Sequence, residues 1–394
     1  MTRPNRVLLL SEEISLSDGE APPNGGGAHM AATLAGLRDH FDVATLFGAG
    51  AEGDSLPGLS RLRRLVPGRM RGLRQDLLRC VADRSFSRHA LAAGREFGPD
   101  VVYWRNEYLS RSGLVVAHSL GVPLVMEVNG LLANDVRSMY RSLAEPYGAA
   151  LERRKLRSAD VVVTVSPGLA DALVELGAVR DRVVVVPNSV SVERLASPRI
   201  AADKPSVTIG WVGHLMQWHR EALGMLIEIA PDVLRRAPRA EFVVIGGGPG
   251  LEQLKERVAG AGLAGRFRFT GTVPSDEVPG LLADVDIGVI PAVFDYAFPV
   301  KLVEFGAAGL AVVAPRSESL DRQLAAGSEY APFPSGDRAA LADVLAGLVL
   351  DGERRRALGG ALQRAVRERF TWPVTGRSLE RAVRLAIEPP GGRD

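Results

Sequence analysis

Short apolar runs rich in Val and Leu, spaced so that a helix fits between them, constrain this chain more than any other feature. Residues 6–10, 42–47, 101–104, 124–128, 161–165 and 183–186 each read as a strand with little polar alternation. A strand with one wet face alternates apolar and polar residues, whereas a near-continuous apolar run belongs to a parallel sheet covered by helices on both faces. Residues 28–40 and 151–157 read as such helices. A polar, Pro-containing stretch at 197–206 interrupts the rhythm, which restarts with strands at 207–212, 241–245, 266–270, 286–290 and 310–314. The pattern predicts an α/β chain of two doubly wound parallel-sheet domains, 1–196 and 207–371, for which 394 residues is an ordinary length. Helices are expected at 339–350 and 353–369. After a break at Thr371-Trp372-Pro373, a last helix at 376–387 lies in a C-terminal segment, 372–394, that can return to the first domain.

Composition excludes several classes. The formal net charge of +2 lacks the strong basic excess of a nucleic-acid binder. One cysteine, Cys80, allows no internal disulfide and fits a reducing compartment. The first apolar run is too short for a signal peptide and is followed at once by Glu12 and Glu13, and no run reaches the ~20 apolar residues a spanning helix needs. A cytoplasmic protein is expected. Only four of the 48 basic residues are lysine, so Lys301 is less readily dismissed as filler.

In open parallel sheets, ligands bind beyond the carboxyl ends of the strands. The loops at 11–29, 104–108, 129–135, 213–220, 246–250, 271–275 and 291–299 all follow strands, and two sheets that face each other would bring them to a common cleft. The segment at 298–314 carries the strongest chemistry. Pro299 suits a first helical position, Lys301 and Glu304 fall on one helix face, and Gly309 ends the helix before a buried strand. The positive end of that helix can face an anion, with a lysine for phosphate and a carboxylate one turn on for sugar hydroxyls. Gly213 would let the backbone approach a diphosphate. The glycines at 246–250 do not have the spacing of a dinucleotide fingerprint. Asp284 and Asp286 imitate a metal-binding pair but lead straight into a buried strand, which favours a structural role, and no zinc-ligand constellation is visible. Residues 61–74 hold six arginines and no acid. They read as a solvated basic face, a contact for a phosphorylated acceptor, or a contact for an anionic membrane, the last weakened by Pro67 and Gly68.

Taken in order, the segments 210–219, 243–249, 269–274, 283–286 and 298–314, with 123–129, 163–166 and 184–188 in the first half, resemble the retaining GT-B glycosyltransferases of glycosyltransferase family 4. The resemblance covers nearly the whole chain and is most specific in the second half. It implies two Rossmann-like domains facing a central cleft, an acceptor-binding first domain and a nucleotide-sugar-binding second one. Glu304 resembles the family's glutamate for the donor ribose, Tyr296 stands where another glutamate often contacts the transferred sugar, and Phe298, Pro299, Val300 and Val273 match donor-side positions. His214 and His219 replace the family's usual arginine and lysine, which leaves Arg220 and Lys301 to supply fixed positive charge. The stretch from Asn24 to His29 resembles the family's glycine loop, with Gly26 and Gly27 near phosphate and acceptor and His29 at the usual histidine position. Arg105, Glu107, Glu127 and Asn129 follow first-domain strands and read either as binding a hydroxylated acceptor or the sugar, or as structural polar groups at the edge of the core.

The reading is a metal-independent, retaining, hexosyltransferase-type enzyme. It moves a sugar from a UDP- or GDP-linked donor to a small-molecule acceptor, with no cofactor beyond that co-substrate and no nucleic-acid partner. Glu304, Lys301, Arg220 and His29 are the residues expected to carry the chemistry. The alternatives are a non-catalytic nucleotide-sugar-binding protein, a lipid-acceptor transferase at the membrane surface, and a nucleotide-sugar epimerase.

Overall fold

The structure is a computed structural model and describes residues 5–12, 25–48, 71–132, 142–195, 205–215 and 219–388. The described chain divides into two compact units. One draws on Met1–Pro22, Met30–Pro187 and Thr375–Asp394, the other on Pro23–His29 and Asn188–Val374.

The first unit is a six-stranded, fully parallel sheet. It contains β1 (Arg6–Ser11), β2 (Asp42–Phe47), β3 (Val101–Arg105), β4 (Leu124–Val128), β5 (Val161–Thr164) and β6 (Val183–Val185) in the order β2-β1-β3-β4-β5-β6. Between the strands run α1 (Gly25–Arg38), α2 (Arg71–Phe97), α3 (Ser112–Leu120), α4 (Glu145–Ser158) and α5 (Pro167–Glu175). The apolar runs of β1, β3, β4 and β5 form strands whose side chains are buried on both faces of the sheet, whereas β2 and β6, at its two edges, are only partly buried. Ser166 caps α5 by accepting from Leu169 N–H, and Pro167 fills the first helical position, where a missing donor costs nothing.

The second unit repeats the plan. Its strands β7 (Val207–Val212), β8 (Ala240–Ile245), β9 (Phe267–Phe269), β10 (Ile287–Val289), β11 (Ala311–Pro315) and β12 (Ala331–Phe333) are ordered β12-β11-β10-β7-β8-β9, all parallel. The helices are α6 (His219–Arg236), α7 (Leu251–Gly260), α8 (Val278–Leu282), α9 (Val300–Ala307), α10 (Glu318–Asp321), α11 (Arg338–Leu350) and α12 (Gly352–Arg369). Ile209 and Trp211 enter one core with Leu341 and Leu345, while Val212 and Val243 enter another with Phe305 and Leu362. The final helix, α13 (Trp372–Ile387), places Leu379, Ala382 and Val383 in the core of the first unit with Val7, Leu9 and Leu37. Gly36 and Gly376 let α1 and α13 touch backbone to backbone, since a Cβ on Gly36 would lie 2.9 Å from Gly376 Cα.

Several boundaries differ from the sequence expectation. Gly25, Gly26 and Gly27 form the first turn of α1 and are not a loop before it. α4 begins at Glu145, and α13 begins at Trp372, with Pro373 tolerated in its first turn. Pro299 is the extended residue just before α9 and not its first helical one. The short, Pro-containing β12 lies at a sheet edge and was not expected. The interdomain stretch at 197–206 lies mostly outside the described residues, as does most of the arginine-rich stretch at 61–74.

Candidate functional site

The second unit contains a cavity of about 450 Å³ at the carboxyl edge of its sheet. Two helix starts border it. Gly25, Gly26 and Ala28 come from α1, and Val300 and Lys301 from α9, with Glu304 one turn further in. The two starts pack together, because a Cβ on Gly25 would sit 3.5 Å from Val300 Cγ2. The α9 start bears no side-chain cap. Its other end closes in a Schellman turn: Gly309 takes φ 71°, Leu310 N–H donates to Phe305 C=O, and Gly309 N–H donates to Gly306 C=O.

The loops after β7 and β8 supply the remaining wall through Gly213, His214, Gly246 and Gly247. They run in backbone contact, since a Cβ on Gly246, at φ 123°, would fall 2.1 Å from Gly213 O. Thr272, Val273, Ser275 and Val278 complete it from beyond β9.

Charge in this cavity is sparse and specific. The Lys301 ammonium lies 4.1 Å from the centroid of the Trp211 ring, a cation–π contact, and against Gly213. Burial lowers its pKa to about 7, with the Glu304 carboxylate pulling the other way. Glu304 is 18% exposed, and burial raises its pKa above the ordinary carboxylate value against the opposing pull of Arg194 and Lys301. Arg194 Nη1 stands 3.8 Å from Glu304 Oε1, and its Nη2 donates to Ser275 Oγ and C=O, so it ties the loop beyond β9 to α9. His29 is buried, with Nδ1 2.8 Å from Asn188 Oδ1, and Asn188 Nδ2 donates to the carbonyl of Phe298.

The expected donor residues are thus partly assembled. Gly213, His214, Val273, Val300, Lys301 and Glu304 line one cavity, together with Gly26, which was expected on the acceptor side. Phe298 places only its backbone nearby, because its ring is buried against Phe370 at 5.0 Å. Tyr296 is stacked on the exposed Phe294, ring centroids 5.4 Å apart, and is not among the lining residues. His219 and Arg220 open α6, which follows the β7 loop. Sequence reasoning passed over Arg194 and held Gly25, Thr272 and Ser275 only inside longer motif and loop segments. It quoted Asn188 only as part of a motif.

In the first unit, the residues expected to meet an acceptor form a network at the ends of β3 and β4. The buried Glu127 accepts from Tyr103 Oη at 2.8 Å, Thr33 Oγ1 at 3.2 Å, Arg105 Nη1 at 3.0 Å and Asn129 Nδ2 at 2.7 Å. Burial, and then the Glu127 charge, raise the Tyr103 pKa well above its ordinary value. Glu127 is thus the hub of this network, holding Arg105 and Asn129 in place. Glu107 Oε1 stands 3.8 Å from Arg105 Nε, and its carbonyl accepts from the buried Lys155 at 2.9 Å. Desolvation lowers the Lys155 pKa to about 8. Gly27 is buried within α1.

Asp286 Oδ2 accepts from Thr208 N–H at 2.9 Å, which ties β7 to the start of β10. Among the described residues, no group of three or more His, Cys, Asp or Glu is placed to hold a metal ion, and no helix is long and apolar enough to cross a membrane.

Comparison with known proteins agrees with this architecture. Residues 206–351 match the family described as "Glycosyl transferases group 1", and residues 24–189 match "Glycosyl transferase 4-like domain". The 2-deoxystreptamine N-acetyl-D-glucosaminyltransferase of Streptomyces fradiae is 29% identical over 76% of this chain and 74% of its own length. A phosphatidyl-myo-inositol mannosyltransferase of Mycobacterium leprae is 30% identical over 50% of this chain, a match that spans about half (52%) of that protein. The structure of Anabaena HepE in complex with UDP and glucose superposes with a TM-score of 0.67 at 16% identity, covering 96% of this chain and 99% of that one, and so shares the fold. With both halves of the chain matched and two six-stranded parallel α/β units in place, the chain belongs to the GT-B glycosyltransferases of the family 4 type, enzymes that transfer sugars.

Proposed function

We propose that the second-unit cavity takes a nucleoside diphosphate sugar and that the enzyme passes the sugar, with retention of anomeric configuration, to a hydroxyl of a small cyclitol acceptor. The observation that carries this reading is the convergence of Lys301, Glu304 and two helix starts on one cavity with glycine-rich walls. The helix starts offer positive dipole ends and Lys301 a positive charge to a diphosphate, and the glycines admit it close to backbone. Glu304 accepts from a vicinal diol such as that of ribose, a charge-assisted contact. The chemistry is electrostatic. Lys301, the helix ends and Arg220 stabilise the departing diphosphate while an oxocarbenium-like sugar forms, so no side chain need act as nucleophile and no metal or other cofactor is required. His29, the residue after Ala28 of the cavity wall, is assigned a hydrogen-bonding role in the same step, as acceptor or donor.

HepE binds UDP in its crystal structure, which supports a UDP-linked donor, while a GDP-linked donor is the other member of the test. The relatives' names share a chemical feature, since 2-deoxystreptamine and myo-inositol are both six-membered carbocyclic polyols. A ring of equatorial hydroxyl or amino groups suits the fixed donors and acceptors of Arg105, Glu107 and Asn129. The test is to incubate the protein with UDP- and GDP-sugars and, in parallel, 2-deoxystreptamine, myo-inositol and phosphatidylinositol vesicles, then read the products by mass spectrometry and the anomeric coupling by NMR. An axial product from an axial donor, on a soluble cyclitol, is expected. An inverted anomer refutes retention, and a product on vesicles alone refutes the small-molecule acceptor.

A further inference from the structure

We propose that Asn188 is a positioning residue: its one amide fixes the tautomer of His29 and locks the start of α1 to the start of α9. The inference rests on the reading of this cavity as the donor site. Asn188 is 7% exposed. The Phe298 carbonyl can only accept, so the Asn188 atom that meets it is the NH₂ group, and the Asn188 oxygen faces His29. An amide oxygen can only accept in turn, so His29 Nδ1 carries the proton at their 2.8 Å contact. In the neutral ring the lone pair then belongs to Nε2, the nitrogen able to take a hydrogen bond or a proton. The neutral imidazole is thereby committed to one of its two forms by a residue 159 positions away in sequence.

The same amide acts on α9. Phe298 directly precedes Pro299, the residue before the helix that carries Lys301 and Glu304. The Phe298 ring is held in the core against Phe370, and its carbonyl is held by Asn188. Asn188 is fixed from its own side too. Two residues on, Val190 N–H donates to Phe370 C=O and Val190 C=O accepts from Trp372 N–H. Asn188 thus stands on a braced segment and reaches two helix starts that share the cavity wall. A hydrophobic side chain of similar size would fill the space and satisfy neither His29 nor Phe298.

The test uses the full chain with ¹⁵N-labelled histidine. Long-range ¹H–¹⁵N spectra of the wild type should show His29 with Nδ1 protonated, against the Nε2–H form that free neutral histidine favours. Asn188→Ala should abolish that preference and lower kcat about tenfold or more, while the donor Kd stays within about threefold. Asn188→Asp still accepts from Nδ1–H but repels the Phe298 carbonyl, so it should keep the tautomer and lose part of kcat. An Nε2–H form in the wild type overturns the proposal without any variant. An unchanged kcat in a folded Asn188→Ala protein, or loss confined to donor Kd, overturns it as well. Failure of the donor-site reading has a different signature: the wild-type tautomer is as stated, yet nucleoside diphosphate does not bind.

Discussion

Lys301 is the residue on which the proposed donor site turns, and its environment makes a pH prediction. Burial has brought its pKa to about 7, so above that pH the empty cavity holds a largely neutral amine. A bound diphosphate favours the ammonium and raises the pKa. Binding above pH 7 therefore takes up a proton, and diphosphate affinity falls as pH rises from about 7 toward the bound-state value. Calorimetry at about pH 8 in two buffers of different ionisation enthalpy should show uptake approaching one proton in the wild type and much less in Lys301→Met. Equal uptake in both proteins would assign the proton to a group other than Lys301. That Lys301 and Glu304 share one cavity was legible in the sequence because it depends on a local spacing, i and i+3 on one helix face. Arg194 and Asn188 were not, because their partners Glu304 and Phe298 are 110 residues away in each case and no local pattern announces such a contact.

Elements were more legible than their ends. The Val-rich strands were found within a residue or two because burial on both faces leaves a continuous apolar run. The start of α1 was misplaced because three successive glycines have poor helix propensity, and the contact of Gly25 with Val300 that favours this arrangement is tertiary. The start of α13 was misplaced because Pro373 reads as a break, although the first turn of a helix accepts it. The contact between the β7 and β8 loops yields a paired prediction. Gly246→Ala would place a methyl 2.1 Å from Gly213 O at a φ of 123°, and should cost about 2–5 kcal/mol of stability or donor binding. Gly360→Ala, inside α12 with only the Arg364 guanidinium 3.6 Å from the added Cβ, should stabilise the protein by about 0.5–1 kcal/mol. Thermal melts and nucleoside diphosphate titrations of the two variants check this. A harmless Gly246→Ala would show that the two loops do not need their close approach.

At the scale of the whole molecule, the two-unit α/β plan and the family were legible from the strand rhythm and the order of motifs. The residues that join the motifs into a site required the three-dimensional structure. The central claim is that this chain transfers sugar from a nucleoside diphosphate donor held by the Glu304 cavity. Its most direct test is turnover of wild type and Glu304→Ala side by side, counting glycosylated acceptor and released nucleoside diphosphate. The wild type should form the two products in equal amounts. Glu304→Ala should keep its circular dichroism and melting behaviour and lose about 30- to 1,000-fold in kcat/KM, the equivalent of about 2–4 kcal/mol for a lost charged hydrogen-bond partner. Near-normal turnover by a folded Glu304→Ala protein, or donor consumption by the wild type without glycosylated acceptor, would contradict the account.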